Sequence, residues 1–154
     1  MASVPAQLKP RLQADLNAAM KARDELTTAT VRMALAAITT EEVAGKTARE
    51  LSDDEVLRVL AREGKKRREA AEAFQSAGRA ELAARERAEG EVLARYLPVP
   101  LEDGELSEVV RAAVAESGAT SMRDMGAVMK LVQPRVAGRA DGKRVSDEVR
   151  RQLG

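Results

Sequence analysis

The chain of 154 residues contains no cysteine, no histidine and no tryptophan, and its aromatic complement is one Phe and one Tyr. Without Cys or His there are no disulfides, no thiolate nucleophile and none of the Cys/His metal clusters, so no metal or cofactor is expected, while the redox compartment stays open. With Phe74 and Tyr96 both on apolar helix faces, platforms for stacking the bases of an unstructured strand are missing as well. A core has to be built from Leu, Val, Met and Ala. Such small side chains remove little apolar area each and predict thin helical layers. No apolar run approaches the roughly 18 to 20 residues that span a bilayer, and the opening Met1-Ala-Ser-Val-Pro5 lacks the basic and apolar regions of a secretory signal. The sequence therefore predicts a cytoplasmic protein with no membrane partner. Charged residues make up 33% of the chain but the formal net charge is only +1, so any attraction to nucleic acid has to come from local patches.

What the sequence does contain is helical periodicity, and it predicts an all-α fold. The spine is residues 52–96. Ser52 and Glu55 have the spacing of a reciprocal cap, and Leu57, Leu60, Ala61, Gly64, Ala71 and Phe74 follow as one apolar stripe up to Gly78. A second helix carries Leu82, Glu86, Glu89, Val92, Leu93 and Tyr96 and stops before Pro98. Two long helices joined by a short turn are antiparallel neighbours. Ahead of them, a helix starting near Pro5 or Pro10 and reaching Arg23 carries Leu8, Leu12, Leu16 and Met20. Residues 25–43 carry Leu26, Thr30, Met33, Ala37 and Ile38. Residues 1–97 thus read as an amino-terminal four-helix domain.

Pro98-Val99-Pro100 is a stiff connector and the predicted boundary. Residues 98–154 read as a small three-helix domain. Leu106, Val109, Val110, Ala113 and Val114 precede Gly118. Ser121 then caps an element with Met122, Met125, Val128, Met129 and Val132 that Pro134 ends within two residues. A last short helix opens at Ser146 with Val149 and Leu153 inward. The methionine stripe at this spacing reads as core or domain contact ahead of a binding groove.

Two stretches could carry function. Residues 62–68 hold five basic groups in seven positions, including Lys65, Lys66, Arg67 and Arg68. They fit phosphate contacts, but a solvated face with internal pairs such as Glu63 with Arg67 is the leading reading. Gly64 in their midst predicts a close helix crossing. From residue 123 to 151 there are eight basic residues against four acidic ones, with Lys130, Arg139, Lys143 and Arg144 among the eight. Gly138 and Gly142 let backbone amides approach a phosphate, and Asp141 between them fits a structural turn as well. The spacing is not that of a P-loop, and no strand precedes it. Asp53, Asp54, Glu86 and Glu89 have simpler uses as capping and helix-surface groups than as a catalytic carboxylate pair. No catalytic residue is expected. A bound RNA has to be recognised by shape and phosphates, which favours a folded one.

Several pieces in order resemble the YqeY family of small bacterial proteins. They are Ala19-Met20-Lys21 with Arg32-Met33; Lys65-Lys66-Arg67-Arg68-Glu69; Phe74-Gln75-Ser76-Ala77-Gly78-Arg79 with Leu82 and Glu86; Tyr96-Leu97-Pro98; Asp124-Met125-Gly126-Ala127-Val128-Met129-Lys130; and Gly138-Arg139-Ala140-Asp141-Gly142-Lys143. The resemblance implies a four-helix domain followed by a smaller helical one. It also implies kinship with the tail domain of the B subunit of the glutamyl and aspartyl tRNA amidotransferase and with an appended region of some glutaminyl-tRNA synthetases. It suggests tRNA as a partner, or an aminoacyl-tRNA synthetase or amidotransferase. The family's label of carbon-nitrogen ligase with glutamine as amido donor belongs to a larger catalytic region that has no counterpart here, so the isolated chain is expected to lack that activity. A helical protein-interaction module is the rival reading.

Overall fold

The computed structural model describes residues 6–154; the predicted first turn at Pro5 and the reading of residues 1–5 as non-secretory lie outside them. The fold is all-α, with seven helices and, among the described residues, no strand: α1 (Leu8–Lys21), α2 (Glu25–Glu42), α3 (Asp53–Ser76), α4 (Ala80–Ala94), α5 (Asp103–Ser117), α6 (Met125–Val136) and α7 (Gly142–Leu153), with one 3₁₀ turn at Met122–Asp124 before α6. The helices gather into two compact units that divide between Leu97 and Pro98.

In the first unit α3 starts as its sequence dictates. The Ser52 hydroxyl accepts from the Glu55 N–H and the Glu55 carboxylate accepts from the Ser52 N–H, each at 3.2 Å. Asp53, at the head of α3, serves another helix. Its Oδ1 accepts the N–H groups of Gln7 and Leu8 at 2.9 and 3.0 Å, satisfying donors that α1 leaves open at its start. Asp24 caps α2 through Thr27. The threonines of α2 are accommodated because Thr30 and Thr40 return their hydroxyls to the carbonyls four residues back.

The core of this unit joins Leu12, Val31, Ala34, Ile38, Leu51, Val56, Val59, Leu60, Val92, Leu93 and Tyr96. The buried face of α3 is rotated from the predicted one. Val56, Val59, Leu60, Gly64 and Ala71 are buried, whereas Leu57 and Phe74 are half-buried and Ala61 is exposed. Met20 and Met33, predicted inward, are 47% and 37% exposed, and Ala19 and Ala34 take the interior positions beside them. Alanine, invisible in a search for large apolar residues, sets the inner face wherever helices pack closely.

Gly64 does not mark a tight crossing. A Cβ built there meets only the Arg68 guanidinium, at 3.8 Å, an ordinary contact with a flexible side chain. Gly64→Ala is therefore expected to stabilise the unit by up to about 1 kcal/mol through helix propensity. Denaturant unfolding of the two proteins measures it, and a loss of stability would restore the crossing.

The second unit packs Leu101, Leu106, Val110, Ala113, Val128, Val132, Val136, Val145 and Val149. Met125 and Met129 lie half-buried against this core, while Met122 is 44% exposed. Pro134 sits within the last turn of α6, which ends two residues later at Val136. The final helix begins earlier than predicted. Asp141, not Ser146, is its cap, accepting from the Arg144 N–H at 2.9 Å, and this places Lys143 and Arg144 in the first turn.

Each unit has a carboxylate whose pKa is lowered to about 2. The hydrogen bond from Arg49, then that from the Ser52 N–H, lowers Glu55 from 4.5 to about 2. The hydrogen bond from Arg151 leads in lowering Glu148 from 4.5 to about 2, and Gln152 and Ser107 add to it. Both folded values lie below the unfolded ones, so these contributions are complete above about pH 4.5 and are lost as pH falls towards 2. Thermal unfolding followed by circular dichroism is expected to show a midpoint that drops across that window, with a shallower drop in Arg49→Met and Arg151→Met. An unchanged acid profile in both variants would remove these two pairs as its cause.

Candidate functional site

The basic run of α3 is divided by the helix. Lys65 and Lys66 stand out from the surface, 63% and 67% exposed, with Glu69 at 3.9 Å from one and Glu63 at 3.1 Å from the other. Both pairs are local and open to solvent, where such contacts are weak. Arg68 is exposed and forms no ion pair among the described residues. Arg67 points the other way. Its side chain is 13% exposed and lies between α3 and α4, with Nε 3.2 Å from Glu89 and 3.7 Å from Glu86, while Nη2 donates to the Met33 sulfur at 3.2 Å. The internal pairing of Glu63 with Arg67 is thus replaced by Glu63 with Lys66 and by Arg67 across the helices. Arg85 reaches the same Glu89 at 3.3 Å.

The carboxy-terminal cations divide in the same way. The Arg139 carbonyl accepts from the Leu101 N–H at 2.7 Å, and its Nε donates to the Val99 carbonyl at 2.8 Å. Arg144 donates to the Leu101 carbonyl at 2.9 Å and to Asp103 at 3.0 Å. These two arginines fasten the segment leading into α5 to the loop before α7. Gly138, at φ +77°, and Ala137, at φ 49°, turn the chain through the left-handed region so that Arg139 can do this. Lys143 is different. It is 86% exposed, lies at the start of α7 where the N–H groups face out, and among the described residues pairs only with Asp147, at 4.0 Å. Lys130 is exposed on α6, and no ion pair among the described residues involves it.

The candidate residues therefore form two sets in separate units, Lys65, Lys66 and Arg68 in the first and Lys130 and Lys143 in the second. Arg67, Arg139 and Arg144 have intramolecular partners. The sequence reading missed a third group, in which the Tyr96 hydroxyl donates to Asp15 and the Arg11 guanidinium stacks 4.6 Å from the Tyr96 ring centre. Burial first, then the hydrogen bond to Asp15, pushes the Tyr96 pKa up, so its proton stays on oxygen. Arg11 and Asp15, four residues apart on one helix, were the sole local signal of it. Among the described residues no group of three or more acidic, His or Cys side chains could hold a metal ion, and no helix is long and apolar enough to cross a membrane.

These features define the class, an all-helical two-unit protein whose exposed lysines are held apart from its structural arginines. The particular family follows from comparison. A family model described as Yqey-like protein matches residues 9–153, and the chain belongs to that family. It is 33% identical over 150 residues to a protein of Pyrenophora tritici-repentis (strain Pt-1C-BFP) named Altered inheritance of mitochondria protein 41, mitochondrial, in an alignment covering 94% of this chain and 80% of the relative.

Proposed function

We propose that the chain is a noncatalytic accessory module of tRNA metabolism that binds a folded RNA through exposed lysines. The observation that supports it best is the division of charge. Lys65, Lys66, Lys130 and Lys143 are left with no more than weak, solvent-open pairs, and displacing such pairs costs little when a phosphate arrives. Arg68 can add to the first set. The scarcity of aromatics excludes a stacking platform, so the recognised features are backbone and shape. Membership of the Yqey-like family is compatible with this role, and the resemblance to tRNA amidotransferase tails names tRNA as the class to test. On this reading the working compartment is the cytoplasm.

The test is binding of the full chain to bulk tRNA and to an unstructured RNA of matched length, each at low and near-physiological salt. Preference for tRNA that persists at the higher salt is the expected result. Equal binding that vanishes with salt would reduce the interaction to generic electrostatics and turn attention to a protein partner, such as a synthetase or amidotransferase. A groove of about 390 Å³ between α2 and α3, with Met33 and Val59 in its lining and Arg62 and Glu41 at 3.3 Å on its rim, favours that second reading. Carbon-nitrogen ligase activity with glutamine as donor is tested by offering misacylated tRNA to the purified chain, and no conversion is expected.

A further inference from the structure

The group around Tyr96 lines a cleft that includes none of the lysines proposed for RNA contact. It measures about 330 Å³ and opens between α1, the start of α2 and the residues that follow α4. Its wall along α1 is Ala18, Ala19 and Ala22, whose methyl groups leave free the width that longer side chains would occupy. Around this apolar wall stand two guanidinium groups, Arg11 and Arg95, and two carboxylates, Asp15 and Asp24.

Their existing bonds show what is still open. Asp24 uses both oxygens on Thr27, accepting its N–H at 3.0 Å and its hydroxyl at 2.7 Å. Asp15 accepts the Tyr96 hydroxyl on Oδ2, which also lies 3.9 Å from Arg11 Nε, and among the described residues its Oδ1 accepts no hydrogen bond. Arg11 is stacked on the Tyr96 ring and spends Nη2 on the Arg95 carbonyl at 3.4 Å. Arg95 lines the same cleft and is exposed, and its side chain donates no hydrogen bond and forms no ion pair among the described residues. The lining of the cleft thus includes one carboxylate oxygen and one guanidinium that, among the described residues, have no hydrogen-bond partner.

A simple anion entering it meets Asp15 and Asp24. A simple cation meets Arg11 and Arg95. A molecule carrying both charges a few atoms apart satisfies both ends, and a guanidinium matches a carboxylate in two parallel hydrogen bonds. We propose that this cleft binds a small zwitterion of the α-amino-acid class, with its ammonium on Asp15, its carboxylate on Arg95 and its side chain along the alanine wall. Tyr96 is a positioning residue, holding Asp15 Oδ2 so that Oδ1 faces the ligand. The volume lies at the small end of ligand pockets and suits a single amino acid. This inference is independent of RNA binding.

The experiment is a titration of the ¹⁵N-labelled full chain at neutral pH and constant ionic strength with L-alanine, L-leucine, acetate and methylammonium, following amide shifts. The expected result is saturable movement of Ala18, Ala22, Thr27 and Tyr96 with an amino acid and with neither single ion. Arg95→Ala removes an exposed side chain that makes no hydrogen bond, so the fold is kept, and it is expected to weaken binding by about tenfold, the scale of one charge-assisted contact. Asp15→Asn is expected to weaken it as well. Absence of saturable shifts, equal shifts with acetate, or unchanged affinity in Arg95→Ala would each overturn the assignment.

Discussion

Arg67→Ala is expected to destabilise the amino-terminal unit by about 2 to 4 kcal/mol, the scale for leaving buried charge without its partner. The reason lies in what remains. Arg67 sits between Glu86 and Glu89, whose side chains are 23% and 12% exposed. Without the guanidinium, two carboxylates three residues apart on α4 face a space that water enters poorly, and Arg85 reaches only Glu89. The lost aliphatic stem adds a packing deficit between α3 and α4. Glu89→Gln alone costs less, because the Glu86 carboxylate remains 3.7 Å from Arg67 Nε as a counter-charge, and Arg67→Met combined with Glu86→Gln and Glu89→Gln is expected to recover most of the loss. Equilibrium unfolding in urea measures all three. If Arg67→Ala unfolds like the parent chain, Arg67 is a surface cation and returns to the set available for phosphate.

Reversing Lys130 and Lys143 together to Glu is expected to lower affinity for tRNA by more than about tenfold at low salt, and to reduce the slope of log affinity against log salt by about 2, near one unit for each lost phosphate contact. Helicity and thermal midpoint should hold, because Lys143 is 86% exposed and Lys130 is an exposed residue of α6. Arg139→Glu is a poorer probe, since it breaks the bond to the Val99 carbonyl and weakens binding and folding at once. Reversal of Lys65 and Lys66 in the other unit completes the map. Unchanged tRNA affinity in both double variants would end the lysine-based reading, whereas an effect in one alone assigns the contact to that unit.

The sequence by itself determined the helices. Periodicity, caps and breakers act within one or two turns, so Ser52 with Glu55, the stop before Pro98 and the limit that Pro134 sets on α6 were all legible. Local signals failed where two choices had similar local cost. Asp141 and Ser146 are both capable caps, and the folded chain uses Asp141, with the Arg144 side chain bonded to Leu101 and Asp103. The apolar stripes were found, but their rotation was not, because alanine packing brings Ala19 and Ala34 inward and leaves Met20 and Met33 at the surface.

Tertiary structure alone decided which charges are free. In sequence, Lys65 through Arg68 are four adjacent cations of equal standing; in the fold, Arg67 is withdrawn by carboxylates of α4 while its neighbours stay in solvent. Arg144 is bound to a carbonyl 43 residues away, and Tyr96 to a carboxylate 81 residues away. Helix formation is governed by neighbours along the chain, but a charge is neutralised by whatever group packing brings within about 4 Å. The locations of the lysine surfaces and of the zwitterionic cleft are therefore consequences of how the helices are assembled.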